Sequence, residues 1–374
     1  MGFDNKVAQL RTSLEPDNAF SLKDLRSFCD ILSTTLFEGV VLDPNSFQDP
    51  DLVLELAFKT KTLGLLKLAF ESSEMEPSAR LRETLQAIES NIVAKSFHNI
   101  AESIHVIDVL KPQGLEIILY KGSLRSQNVY GNWWSRTSSD VDLLVNEADY
   151  ETAKRVLIDA GYKILVEPES QWWSCYLGEL PFLSPRKNGA VVDLHKQVQQ
   201  PGGPFPVDPK AFFAGAETVS FGNRSVKTLN QADAFLVSVI SYGKAVRAGE
   251  PWVHTAHEIC TVYLTASEDE RASFAEVASR QSLGRLLDDA VSSSLTLFGK
   301  RSEVSALSDS RDEIIRLAFG TEKHLRFFRT RRLWTWLDGG PMKRALSFIS
   351  GLIRVFKSEW VQKREVRSGL ISGD

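Results

Sequence analysis

The chain has 374 residues, of which 43% are hydrophobic and 25% charged, and carries a net charge of −4. Such a composition belongs to a globular protein with material for two or three structural units, and its mildly acidic balance argues against stable binding of duplex DNA. The three cysteines, Cys29, Cys175 and Cys260, lie far apart with no Cys-x-x-Cys pair, which argues against a thiolate zinc site or a disulfide framework.

Residues 1–110 read as an N-terminal helical region. Its clearest period runs from Ile92 to Leu110, where Val93, Phe97, Ile100, Ile104 and Ile107 make one apolar stripe. His98 and His105 lie off that stripe and read as solvated or locally bonded side chains. Pro112 and Gly114 stop the helix. The pattern then changes to a short β-type run, Leu115 to Tyr120, followed at once by Lys121-Gly122-Ser123. A helix is predicted from Ser123 to about Gly131, then a loop over Asn132 to Ser139. A strand follows over Asp140 to Val145, and a helix over Glu147 to Ala160 closed by Gly161. Further strands are predicted over Tyr162–Val166, Ser174–Leu183 and Ala190–Val198, with a turn at Pro185 to Gly189. This order predicts a small mixed sheet with helices packed on one side, an α+β fold.

A Pro/Gly-rich linker covers Gln200 to Pro209, and a hairpin is predicted over Glu217–Thr228, turning at Gly222-Asn223. From Gln231 the chain is helical again, with candidates at Ala232–Val246, Trp252–Thr265, Leu283–Phe298 and His324–Trp360, the last broken at Gly339-Gly340-Pro341. The expected organisation is a helical region over 1–110, a catalytic unit over 111–229 and a helical unit over 230–374. The N-terminus lacks the apolar core of a signal peptide, and no run approaches the length of a transmembrane segment. The expected location is cytoplasmic.

Three pieces carry chemistry together. Side chains alternate along a strand, so Asp140 and Asp142 share one face about 7 Å apart at the backbone, while Val141, Leu143 and Val145 face the core. Two carboxylates on one face repel unless a cation lies between them, and Mg²⁺ prefers carboxylate, water and phosphate oxygens. In Val191-Val-Asp-Leu-His195 the same alternation sends Asp193 and His195 outward together. If the two strands are neighbours, Asp193 completes a carboxylate cluster for two metals, and it can also accept a proton from an acceptor hydroxyl. Lys121-Gly122-Ser123 supplies the anion side: Gly122 permits close backbone approach, the Ser123 amide opens a helix, and Lys121 adds a point charge. Arg136, four residues before Asp140, can reach the same place.

These stretches resemble the polymerase β-like nucleotidyltransferase superfamily. Within it, Lys121-Gly122, Arg136 with Asp140-Val-Asp-Leu-Leu-Val145, Gly161-Tyr162 and Val191-Val-Asp-Leu-His195 look like the bacterial uncharacterised nucleotidyltransferases, over about residues 92–200. The resemblance implies that Gly122 and Ser123 position a triphosphate, that Asp140 and Asp142 bind both of two Mg²⁺ ions (Mn²⁺ being the alternative), and that Asp193 binds the catalytic one. It implies transfer of an NMP from an NTP, ATP first, to a hydroxyl-type acceptor with release of pyrophosphate. The acidic surface favours a small molecule or sugar as acceptor. An RNA- or protein-modifying toxin-like enzyme and an inactive nucleotide-binding module are the alternatives. Ser123 stands where the family usually has a small apolar residue. The family's C-terminal His and Asp are replaced here by Tyr242-Gly-Lys244 and Trp252-Val-His-Thr-Ala-His-Glu258, from which Lys244, His257 or Glu258 can line the pocket or lie on a plain helix surface.

Other features have two readings each. Trp133-Trp134 and Trp172-Trp173 can stack on a base or pack in the protein. Lys343, Arg344, Arg354 and Lys357 beside Leu346, Phe348, Ile349, Leu352, Ile353 and Phe356 make a basic amphipathic helix, for a membrane surface or for packing on its own domain. Arg329, Arg331 and Arg332 read as a solvated basic patch.

Overall fold

The computed structural model describes residues 20–38, 40, 49–72, 79–167, 169–187, 189–198, 203, 205–222, 224–300, 309–320 and 332–371. Arg329, Arg331, Asn223 and part of the expected linker lie outside them. The chain is α+β, as its pattern predicts.

Among the described residues four helices come first: α1 (Leu22–Ser33), α2 (Pro50–Lys59), α3 (Leu63–Ser72) and α4 (Ala79–Leu110). Ser21 and Asp24 form a reciprocal capping box on α1, and Asp49 caps α2 ahead of a proline in its first turn. The apolar stripe expected on α4 is only partly used. Phe97 is 59% exposed, whereas Ser96, Asn99, Glu102 and Ser103 are buried. Hydrogen bonds draw that polar face inward: Asn99 Nδ2 donates to the Ser138 carbonyl at 3.1 Å, and the Tyr162 hydroxyl donates to Glu102 at 2.6 Å. Ile100, Ile104 and Ile107 flank it, half-buried against the sheet core. His105 stacks on Tyr162 at 6.3 Å between ring centroids.

The sheet follows. Its strands are β1 (Ile117–Leu119), β2 (Asp140–Val145), β3 (Lys163–Ile164), β4 (Glu179–Leu183) and β5 (Val191–His195), in the order β1-β2-β5-β4-β3. Only β2 and β5 run parallel; the other neighbours are antiparallel. Helix α5 (Gly122–Tyr130) links β1 to β2, and α6 (Tyr150–Asp159) follows β2. Val141, Leu143 and Val145 join Val192, Leu194, Tyr150 and Leu157 in one core, together with Val106 and Leu110 of α4. Strand alternation thereby leaves Asp140 and Asp142 on the opposite face.

One expected strand is corrected. Residues 174–183 are extended only over Glu179–Leu183, and Trp172–Leu177 instead form a π-helical turn that ends at Gly178 with φ 68°. Apolar aromatic content suggested a strand there, but hydrogen bonds from Ser170, Gln171 and Trp172 to the distant Glu365 hold the start of the turn.

After the sheet come the short α7 (Ala211–Ala214) and the hairpin β6 (Glu217–Phe221) and β7 (Arg224–Thr228), with strands as expected. Then follow α8 (Gln231–Ala248), α9 (Val253–Thr265), α10 (Glu268–Arg280), α11 (Gly284–Leu297), α12 (Arg311–Ala318) and α13 (Pro341–Arg367). Helix α10 was not anticipated, because its first turn is almost entirely charged. Its start is nonetheless marked by a Ser267–Glu270 capping box. Helices α1 and α12, far apart in sequence, share one core. Phe28 of α1 meets Phe319 edge-on at 6.1 Å, and Arg311 pairs with Asp30 at 2.5 Å. Among the described residues, no helix is long and apolar enough to cross a membrane.

Candidate active site

Strand register builds the acidic centre. In the parallel β2–β5 pair, Asp142 stands opposite Asp193 and Leu143 opposite Leu194. Val141, Leu143, Val192 and Leu194 face one core, so by alternation both aspartates emerge on the other side. Asp142, Asp193 and His195 each offer a ligand atom within 4.8 Å of the other two. Asp140 sits one pleat earlier and is outside that group. Its carboxylate accepts from Ser138 Oγ at 2.9 Å and Ser139 Oγ at 3.0 Å.

The charges around these carboxylates differ. Asp142 Oδ1 lies 3.3 Å from Lys121 Nζ and 3.1 Å from His195 Nε2. Burial alone would raise its pKa, but Lys121, His195 and Arg136 outweigh that and hold it well below the usual carboxylate range. Asp193 has the reverse balance. Burial pushes its carboxyl up to about 7; His195 opposes the rise, and Asp140, Asp142 and Glu179 add to it. Its buried Oδ1 has no hydrogen-bond partner. An orphaned buried oxygen on a carboxylate grouped with two more ligand-bearing side chains is what a divalent cation would satisfy, so the residues present fit a metal.

The anion side forms where β1 turns into α5. Gly122 takes φ +69°, a conformation unfavourable for any side-chain-bearing residue, and this turn starts α5 with no side-chain cap at Lys121. Ser123 is buried behind it. Lys121 also lies 4.7 Å from the centre of the Tyr120 ring.

Arg136 reaches this place from the loop before β2, and α9 and α8 close it from the far side. Glu258 of α9 accepts from Arg136 Nε at 3.0 Å, Arg125 Nε at 2.7 Å and Ser238 Oγ of α8. Burial would raise the Glu258 carboxyl, but the two guanidiniums and the serine pull it down to about 2. Lys121, Arg125, Arg136, Ser238, Ser241 and Glu258 line one small cavity between the sheet and the C-terminal helices.

The remaining candidates separate. Lys244 is half-buried on α8; burial lowers its pKa, and Glu179, Lys121 and Asp142 are among the charges that act on it. His195 sits between two acids, with Nδ1 3.3 Å from Glu179. His257 does not line the cavity: its Nε2 is 2.6 Å from Thr35 Oγ1 and its ring meets Phe298 edge-on. Both tryptophan pairs pack. Trp133 lies edge-on to Phe221, Trp134 lies under Lys67, and Trp172 meets Trp173 at 5.2 Å. Arg332 is not a solvated patch residue. It is 1% exposed and pairs with Asp289 and Asp309, both at 2.6 Å, because the C-terminal core carries those two acids opposite it.

Arg125, Glu179 and Ser238 were missed by sequence reasoning. Arg125 lies only two residues after Ser123, so helix geometry offered a signal. Glu179 faces His195 through the β4–β5 register, which no local pattern encodes.

A family model described as uncharacterised nucleotidyltransferase matches residues 46–249, more than half of the chain. No curated protein matches. Among solved structures, the solution structure of the antibiotic-resistance factor ANT(2'')-Ia is similar at 11% identity and a TM-score of 0.32, covering 48% of this chain and 91% of that one. The family match takes in every candidate residue from Lys121 to Lys244 and ends just before Glu258. This chain belongs to the uncharacterised nucleotidyltransferase family and is a transferase of that class.

Proposed function

We propose that the chain moves a nucleoside monophosphate from an NTP, with ATP the first candidate, to a hydroxyl-type acceptor of the small-molecule or sugar class. The observation that carries the reading is the parallel register that sets Asp142 opposite Asp193, with the Asp193 Oδ1 unpartnered. Residues 111–229 act as the catalytic unit, and 1–110 and 230–374 as the helical regions that enclose it, in a cytoplasmic protein.

Asp140, Asp142 and Asp193 are the residues that would hold two Mg²⁺ ions. Bound there, the ions supply charge neutralisation at the phosphates for an in-line displacement. The protein's own groups do the rest. Gly122 and Ser123 offer backbone amides to the triphosphate, and Lys121 and Arg136 bind its charge. The acceptor oxygen attacks the α-phosphorus, the bond to the bridging oxygen breaks, and pyrophosphate leaves. In this reading Asp193 takes the acceptor proton, and His195 and Lys121 hold Asp142 ionised and oriented.

Incubation with α-labelled NTPs, Mg²⁺ and a cell extract, followed by identification of the labelled product, tests this directly. A labelled small molecule supports the acceptor class, and labelled RNA or protein redirects it. Absence of any label transfer that depends on Asp142 removes the reading.

A further inference from the structure

Helix α13 shows two unlike faces. On the inner one, Val361, Ser358 and Glu365 are buried. The Glu365 carboxylate accepts from Ser170 Oγ at 2.6 Å and from the Gln171 amide at 2.9 Å, which pins the helix to the π-helical turn over 172–177. The outer face is apolar. Met342, Leu346, Ile349, Ile353, Phe356 and Trp360 are between 49% and 76% exposed. Their spacing of four and three residues alternates, so they form one stripe along about 27 Å of helix. A contiguous exposed stripe of that length is a site of interaction rather than ordinary surface.

The charge pattern identifies the occupant. Residues 341–367 carry seven Lys and Arg against two Glu, a net of +5, in a chain whose total is −4. One of the two acids, Glu365, is turned inward. Arg354, Lys357, Lys363, Arg364 and Arg367 are exposed, and the last three continue the helix beyond the apolar stripe. A second copy of the helix laid against this one would oppose like charges, whereas paired helices need complementary flanks. Anionic phospholipid headgroups supply the opposite sign, and the acyl region takes the apolar side chains. Trp360 and Phe356 suit the boundary between the two.

We propose that α13 lies along the surface of an anionic lipid bilayer, with this stripe inserted at the headgroup level, so that the nucleotidyltransferase sheet is held at a membrane surface. The inference stands apart from the nucleotide reading, and its test needs no substrate.

Co-sedimentation of the full chain with vesicles of phosphatidylcholine, with and without phosphatidylglycerol, tests it. The expected result is partition at least about tenfold stronger onto the anionic vesicles and weakened by salt. Ile353→Glu with Phe356→Glu loses that partition while the thermal unfolding curve stays unchanged, because both side chains are already exposed. Lys363→Gln with Arg364→Gln weakens it roughly tenfold on anionic vesicles only. The proposal is overturned if the wild-type chain stays in the supernatant with phosphatidylglycerol present. It is equally overturned if the double-Glu variant sediments like wild type, or if that variant merely turns a dimer into a monomer in sedimentation velocity.

Discussion

Arg136 donates to Glu258 across 3.0 Å, joining the loop before β2 to a helix 122 residues further along the chain. Glu258 also takes Arg125 at 2.7 Å, so one buried carboxylate balances two guanidiniums. Removing one partner of a buried ion pair leaves uncompensated charge and costs about 3–5 kcal/mol. Glu258→Ala is therefore expected to lower the urea midpoint strongly. Glu258→Gln keeps an acceptor and should lose less. If the two guanidiniums also serve the triphosphate, both variants raise the KM for NTP more than they lower kcat. A Glu258→Ala protein as stable as wild type would show that the clamp is dispensable.

The acidic centre gives a prediction about metal. A ligand that binds the folded chain and not the unfolded one raises stability by mass action, about 2.7 kcal/mol at a hundredfold excess over Kd. Mg²⁺ or Mn²⁺ should raise the melting temperature of the wild-type protein, and EDTA should reverse it. Asp142→Asn and Asp193→Asn should melt cooperatively yet show no metal-dependent rise, and their transfer activity should fall by roughly a thousandfold or more. An equal thermal shift in wild type and both variants would place the cation elsewhere.

Much of this centre is local in sequence, which is why it could be read there. Asp140-Val-Asp142 and Asp193 announce their common face through period-two alternation, and Lys121-Gly122-Ser123 announces a strand-to-helix turn. What alternation cannot say is which strands are neighbours, so the pairing of β2 with β5 had to come from the fold. Long-range polar contacts were hidden for the same reason. Glu365 accepting from Ser170, and Glu102 drawing the polar face of α4 inward onto Tyr162, overrode local patterns that predicted a strand over Ser174–Leu183 and an apolar stripe through Phe97.

His257 and His254 set the acid stability. Both lie on α9, His257 buried and His254 half-buried, and their removal from solvent pushes them down, to about 4 and about 3. An unfolded histidine titrates near its ordinary value of about 6.5. Between that value and about 4 these two side chains bind more protons in the unfolded chain, so their contribution to stability rises with pH across this window, while Asp193, raised to about 7, contributes in the opposite direction. Down to pH 5 the contribution of His257 to the decline is on the order of 2 kcal/mol. Glu258, at about 2, loses its ion pairing only in more acid solution. In urea denaturation in EDTA at pH 7.5, 6 and 5, the stability of wild type relative to His257→Gln should fall as the pH drops. A difference that does not change over this range would refute the assignment of a neutral buried imidazole.

Gly122 makes the last prediction, because it separates backbone shape from space. A Cβ placed there would meet nothing closer than 3.7 Å, so there is room for alanine. The obstacle is φ +69°, which costs a residue with a side chain about 1–2 kcal/mol. Gly122→Ala is expected to lower stability by about that amount. It should also raise the KM for NTP, because relief of the strain would re-aim the first amides of α5. Gly131→Ala, at φ +71° with open space on the other end of the same helix, bears the same strain away from the phosphate side. It should therefore lose similar stability with KM unchanged. If both variants shift KM alike, the turn at Lys121-Gly122-Ser123 does not hold the triphosphate.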